Sequence, residues 1–168
     1  MPTSPLDRDA DDAEHARHLQ HTLELARRAV TSGSGGPFGA VVVLDGEVIA
    51  EGWNTVVGTS DPTAHAEITA IRAAAEHLGD FQLSGAVIYA SCEPCPMCLG
   101  AIYWSRAEAL YYAATRHDAA AVGFSDAMIY DEIGLAPEAR TLPFRRLEVP
   151  GAGDVFAQWQ AKADRTDY

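Results

Sequence analysis

Apolar side chains recur three and four residues apart at Leu19, Leu23, Ala26 and Val30, which predicts a helix over Glu14–Thr31 with one buried face. Gly33–Pro37 ends it. The pattern then changes. Gly39–Leu44 is a continuous Val-rich run and Glu47–Ala50 a second β-prone run. Asp45-Gly46 between them has the chemistry of a tight hairpin turn. Gly52–Thr63, which holds Asn54 and Pro62, is expected as a loop. Ala64–Leu78, rich in Ala and Ile, is expected as a helix stopped by Gly79. Ala86–Ser91 reads as a buried strand, Pro96–Arg106 as a short helix, Ala109–Ala113 as a strand and Asp118–Val122 as a short helical segment. Ser125–Leu142 is expected to be mostly loop with room for one turn, Arg145–Val149 a marginal strand and Val155–Ala163 a C-terminal helix.

Strands alternating with helices predict an α/β fold, a three-layer α/β/α sandwich around a mixed central sheet of about five strands. The chain has 168 residues, 48% of them hydrophobic, which suits a single core. Residues 14–168 are therefore expected as one domain. Residues 1–13, acidic and holding Pro2 and Pro5, are expected as a loose tail without the basic start and apolar stretch of a signal peptide. No apolar run is long enough to cross a membrane, so a cytoplasmic location is expected.

Charge narrows the partners. The net charge is −12, with only 12 Lys plus Arg, and the pairs Arg27–Arg28 and Arg145–Arg146 do not make a cluster. A groove that tracks phosphates needs clustered cations, so neither nucleic acid nor an anionic membrane surface is an expected partner.

Cysteine usage points to chemistry. Cys92, Cys95 and Cys98 fall within seven consecutive residues, a spacing for a metal site or redox motif rather than a disulfide framework. Cys95 and Cys98, three apart at the start of an expected helix, share one face, and the helix N-terminus favours their thiolates. Upstream, Asp61-Pro62-Thr63 leads into His65-Ala66-Glu67, with His65 expected in the first helical turn. One imidazole and two thiolates suit Zn²⁺, and three protein ligands leave a fourth position for water, the mark of a catalytic site. Glu67, two residues from a ligand, is placed to move protons. Together His65-x-Glu67 and Pro94-Cys95-x-x-Cys98 make the signature of zinc deaminases.

Other readings compete. Cys95 and Cys98 could form a redox pair, or half of a structural zinc site with Cys92 as the near candidate for a fourth ligand. Cys92 also fits a small buried residue at a strand end. His15, His18 and His21 suit a solvated helix face, His77 a helix end, and His117 has no evident partner.

The run from Asp61 to Arg72 resembles the cytidine deaminase superfamily, and within it the bacterial guanine deaminase branch. Ser91–Trp104, Gly36–Ala40, the late Gly123-Phe124-Ser125-Asp126 and Ile129–Ile133, and Tyr168 carry the narrower likeness, which spans Leu19 to the last residue. The resemblance implies hydrolytic deamination of guanine to xanthine, with one Zn²⁺ per subunit held by His65, Cys95 and Cys98 and with Glu67 as the proton carrier. It implies Phe38 stacking on the purine, Asn54 bonding it, and the Ala66 backbone touching it near the metal. Asp126 would accept from its N–H edge and Trp104 would line the pocket. Glu132 would be a second proton carrier. Tyr168 would close the site, reaching over from a partner in a homodimer with a swapped C-terminal segment. Physical sense supports the pocket: an aromatic face holds a flat base, and a carboxylate reads paired donors. Outside this context Phe38 would be core, Asn54 a turn residue and Asp126 a helix cap. Ser125 stands where the family often has a second Asp, which loosens the substrate expectation toward guanosine, cytosine or a triazine such as ammeline. A tRNA adenosine deaminase would carry the same motifs but conflicts with the net charge. A catalytically silent zinc protein would have no use for Glu67.

Overall fold

The computed structural model describes residues 12–167. Tyr168 and nearly all of the expected N-terminal tail lie outside them. The chain divides at Asp126/Ala127 into two units. The first holds a four-stranded sheet in the order β2-β1-β3-β4, built from β1 (Gly39–Leu44), β2 (Glu47–Trp53), β3 (Val87–Cys92) and β4 (Ala109–Ala114). β1 pairs antiparallel with both β2 and β3, and β3 pairs parallel with β4. The sheet is mixed, as expected. The Asp45-Gly46 turn has both residues at positive φ, +52° and +82°, the backbone a two-residue hairpin needs.

Successive residues of β1 point to opposite faces. Val41 and Val43 pack with Leu25, Tyr89, Leu19 and Trp53 under α1 (Asp12–Ser32). Ala40 and Val42 pack on the other side with Ala66, Ala70 and Ala74 of α3 (Ala66–Leu78) and Ile102 of α4 (Pro96–Trp104). These two layers sandwich the sheet. Helix α3 sits close because its inner stripe is alanine, all fully buried, and because Gly52 of β2 lies beneath it. A methyl group at position 52 would stand 2.3 Å from the Ala66 carbonyl oxygen.

The structure corrects several boundaries. α1 begins at Asp12, inside the expected tail. β2 runs on to Trp53, and a short α2 (Val56–Thr59) occupies part of the expected loop. α3 begins at Ala66 rather than Ala64. The Asp61 carboxylate accepts from the Thr63 amide at 2.8 Å and from its hydroxyl at 2.7 Å, and this local turn delays helix entry. α5 (Arg116–Ala121) starts two residues early through a capping box between Thr115 and Asp118.

In the second unit, α6 (Ala127–Ile133) replaces expected loop, followed by a 3₁₀ turn at Pro137–Ala139 and α7 (Asp154–Ala161). The sheet has four strands, not about five. Arg145–Val149 forms no strand, because an extended run needs a neighbour to accept its backbone hydrogen bonds. No described residue of this unit is buried, and no described helix is long and apolar enough to cross a membrane.

Candidate active site

Two helix N-termini carry the chemistry. His65 is the N-cap of α3 and Cys95 the N-cap of α4, with closely matched extended backbones (φ −68°, ψ 160° and φ −65°, ψ 166°). His65 thus precedes the first helical turn in which the sequence placed it. Neither side chain caps its own helix. Pro96 at the first helical position suits a site where an amide would lack a partner. Cys98 follows one turn into α4, fully buried, and Glu67 is the second residue of α3.

His65 Nδ1 lies 3.5 Å from Cys95 Sγ and 3.6 Å from Cys98 Sγ. Zinc bonds of about 2.3 Å to sulfur and about 2.0–2.1 Å to nitrogen, at a tetrahedral angle, would separate sulfur from nitrogen by about 3.6 Å. The three donors therefore fit Zn²⁺, and among the described residues they form the one group of this kind. Cys92 does not join it. Its thiol donates to the Thr115 carbonyl at 3.4 Å, and burial pushes its pKa up to about 11. A closed four-ligand structural site with Cys92 is thereby set aside, and all three cysteines are free thiols.

The electrostatics suit a cation. Cys95 is lowered to about 4, first by a hydrogen bond from Cys98, opposed by burial, then by one from His65. Cys98 is raised by that same bond and by its burial. The two thiols are coupled through that bond, and a bound dication would favour the thiolate form of both. His65 is raised by its bond to Cys95, against burial. Glu67 is raised above the ordinary carboxylate range by burial, with its own amide and the Cys98 thiol pulling the other way.

A second group of residues adjoins the metal-binding turn. The Asn54 amide donates to the Phe38 carbonyl at 3.0 Å, and the Thr55 amide to Ala64 at 3.0 Å, one residue before His65. Asn54 is buried, and its side-chain oxygen accepts from the amides of Gly36 at 3.3 Å and Val56 at 3.2 Å. Its NH₂ group remains as the donor. Phe38 meets Phe124 edge-on, with ring centroids 5.1 Å apart at 88°. The sequence reading held Gly36 and Phe124 only as members of the resembling segments, with no role, and did not single out Gly35; the Gly-Gly pair before Pro37 was the available signal.

The remaining expected site residues have contacts of their own. Trp104, at the end of α4, is 62% exposed with the Arg106 guanidinium 5.8 Å from its ring. Asp126 is half-buried in the loop before α6. Glu132, in the second unit, accepts from the amide and hydroxyl of Thr141, which hold it below the ordinary carboxylate range. Tyr168 is outside the described residues.

Residues 12–114 match the cytidine and deoxycytidylate deaminase zinc-binding region. The chain is 50% identical to guanine deaminase of Bacillus subtilis over 92% of its own length and 99% of that protein's. The crystal structure of that enzyme superimposes with a TM-score of 0.90 over 92% of this chain and 98% of the other. A guanine deaminase from Nitrosomonas europaea aligns with a TM-score of 0.62 at 36% identity, over 66% of this chain and 64% of that one. A tRNA-specific adenosine deaminase of Haemophilus influenzae is 42% identical over 62% of this chain and 61% of its own.

Proposed function

Since this chain belongs to the cytidine and deoxycytidylate deaminase family of zinc-binding domains, we propose that it is a guanine deaminase, converting guanine and water to xanthine and ammonia. One observation carries the chemistry: a buried carboxylate, Glu67, beside a three-donor zinc site. Near full-length likeness to a guanine deaminase carries the substrate. The tRNA-editing relative matches less of this chain, and a net charge of −12 opposes a polyanionic substrate.

Zinc held by His65, Cys95 and Cys98 supplies a Lewis acid that makes water nucleophilic near neutral pH. Glu67 takes a proton from the attacking water. It gives that proton to the ring nitrogen beside C2 as the C–O bond forms, then takes the proton of the new C2 hydroxyl and gives it to the C2 amino group, so that the C–N bond breaks, ammonia leaves and the C2 carbonyl forms. Such a group must both accept and release a proton near neutrality. Burial raises its proton affinity in the required direction. The Asn54 NH₂ donates to an acceptor on the purine, because its oxygen is already occupied. Phe38 stacks on the ring, the Ala66 backbone contacts it beside the metal, and Asp126 accepts from its N–H edge. Trp104 lines the pocket rim. Glu132 is a second proton carrier in this reading; Thr141 engages its Oε1, and Oε2 is the oxygen that would take the proton.

We further infer that the working form is a cytoplasmic homodimer in which the C-terminal segment of one copy closes the other's site with Tyr168. Supporting this, the second unit builds no core of its own. Phe156 is 78% exposed, and Leu147 and Val149 are 65% and 63% exposed. Residues 145–149 lack a strand partner, and β4 is an edge strand. A reading as a deaminase of guanosine, cytosine or ammeline shares the mechanism. Ammonia release by the zinc-loaded protein from guanine, guanosine, adenine, cytosine and ammeline separates them. Preference for guanine is expected; inert guanine with another base active overturns the substrate.

A further inference from the structure

We propose that Phe124 and Gly36 are specificity-determining positions for this reaction: Phe124 sets the plane of the stacking ring Phe38, and the bare Cα of Gly36 makes the room for it. The inference rests on the guanine reading and deepens it.

Phe124 has a defined anchor. Its amide donates to the Ala119 carbonyl at 3.0 Å, and Gly123, at φ +97°, turns the chain off the end of α5. The end of α5 thus presents an aromatic ring 45% exposed, edge-on to Phe38. Edge-to-face contact fixes relative orientation, because the positive rim of one ring meets the negative face of the other. A base stacked on Phe38 inherits that orientation.

Gly36 sits in the corner between the rings. A methyl group there would stand 3.0 Å from two atoms of the Phe124 ring and 3.1 Å from the Phe38 ring. Such contacts are too close for comfort and too mild to break the fold. The half-exposed Phe124 would yield by a few tenths of an ångström, and Phe38 would tilt with it. The same residue's amide donates to Asn54, so one position touches both the stacking and the hydrogen-bonding groups. Gly35 completes the arrangement, since a methyl group there would overlap the Asn54 oxygen at 2.0 Å. Neither Phe124 nor Gly36 moves a proton or holds the metal. They act through Phe38, so their loss should appear in substrate binding.

The test is steady-state kinetics on guanine with zinc-loaded wild type, Gly36→Ala, Phe124→Leu and the double variant, with zinc content measured for each. Each single variant should raise KM about three- to tenfold while kcat stays within about twofold. The double variant should lose less than the product of the two single effects, because leucine has no ring edge for the new methyl to strike and only the methyl's 3.1 Å contact with Phe38 remains. Unchanged KM, a loss confined to kcat and zinc content, or effects that multiply in the double variant would each overturn the proposal. If the wild type instead deaminates another base, the substrate reading falls separately. The same four proteins are then compared on that base, with the same outcomes deciding.

Discussion

Gly52→Ala probes the link between the core and the chemistry. Gly52 pairs with Ala40 across the hairpin and lies beneath α3, whose first residues carry Glu67 and follow His65. The added Cβ would stand 2.3 Å from the Ala66 oxygen, 2.5 Å from the Ala70 nitrogen and 3.0 Å from the Ala70 Cα. Ordinary carbon contacts begin at about 3.5 Å, so α3 must lift by roughly 1 Å. These are backbone atoms, which no rotamer change can relieve. Overpacking of this kind costs about 1–3 kcal/mol, or a fall in Tm of about 3–10 °C for a chain of this size. The lift also draws His65 away from Cys95 and Cys98, so zinc should bind more weakly. Gly100, inside α4, is the control, since a methyl group added there would meet nothing within 4 Å. Gly100→Ala should stabilise by about 0.5–1 kcal/mol. Differential scanning calorimetry and zinc titration of both variants read the outcome. A Gly52→Ala protein with wild-type Tm and zinc affinity would refute the close packing of α3 on β2.

Two further outcomes follow from named contacts. Asn54→Ala should lower Tm and raise KM, because the Gly36 and Val56 amides lose their acceptor at about 1–3 kcal/mol. Asn54→Asp keeps the acceptor and loses the NH₂ donor, so it should restore most of the Tm while leaving KM high; equal Tm losses in both would contradict the assignment of the amide. His18 is lowered from 6.5 chiefly by burial, with Glu14 partly opposing. The unfolded chain therefore takes up this proton first, and stability falls as pH drops through 6.5 and below. Thermal melts of His18→Gln across that range should show a shallower decline than the wild type, and an identical slope would count against it.

Much of this molecule was legible because its signals are local. Asp45-Gly46 dictates a turn whatever surrounds it; the apolar spacing of α1 marked it as a helix, but its inner face is Thr22, Leu25, Ala26 and Ala29, shared with the expected stripe only at Ala26 and the partly buried Leu19, while Val30 is 55% exposed. The zinc donors were legible for the same reason: each motif spans a few residues, and a cap followed by one helical turn fixes its geometry. What the sequence hid is non-local. Arg145–Val149 has a strand-like pattern, yet a strand exists only with a neighbour, and none is paired with it. α6 (Ala127–Ile133) starts directly after Asp126, a cap-type residue that the sequence reading gave to the base instead of to a helix start. The start of α3 moved because Asp61 bonds Thr63 before the helix can take over. The fit of Gly35 to Asn54 and of Gly36 to Phe124 joins segments far apart in the chain, so no spacing rule reveals it.

The proposed deamination rests on Glu67 as the proton carrier at a zinc site made by His65, Cys95 and Cys98. Its most direct test is the parallel measurement of bound zinc and of ammonia and xanthine formed from guanine, for wild type and Glu67→Gln. One zinc per chain is expected in both, with kcat reduced by about 10²–10⁴ in the variant. A Glu67→Gln protein that keeps its zinc and turns over guanine at the wild-type rate would contradict it.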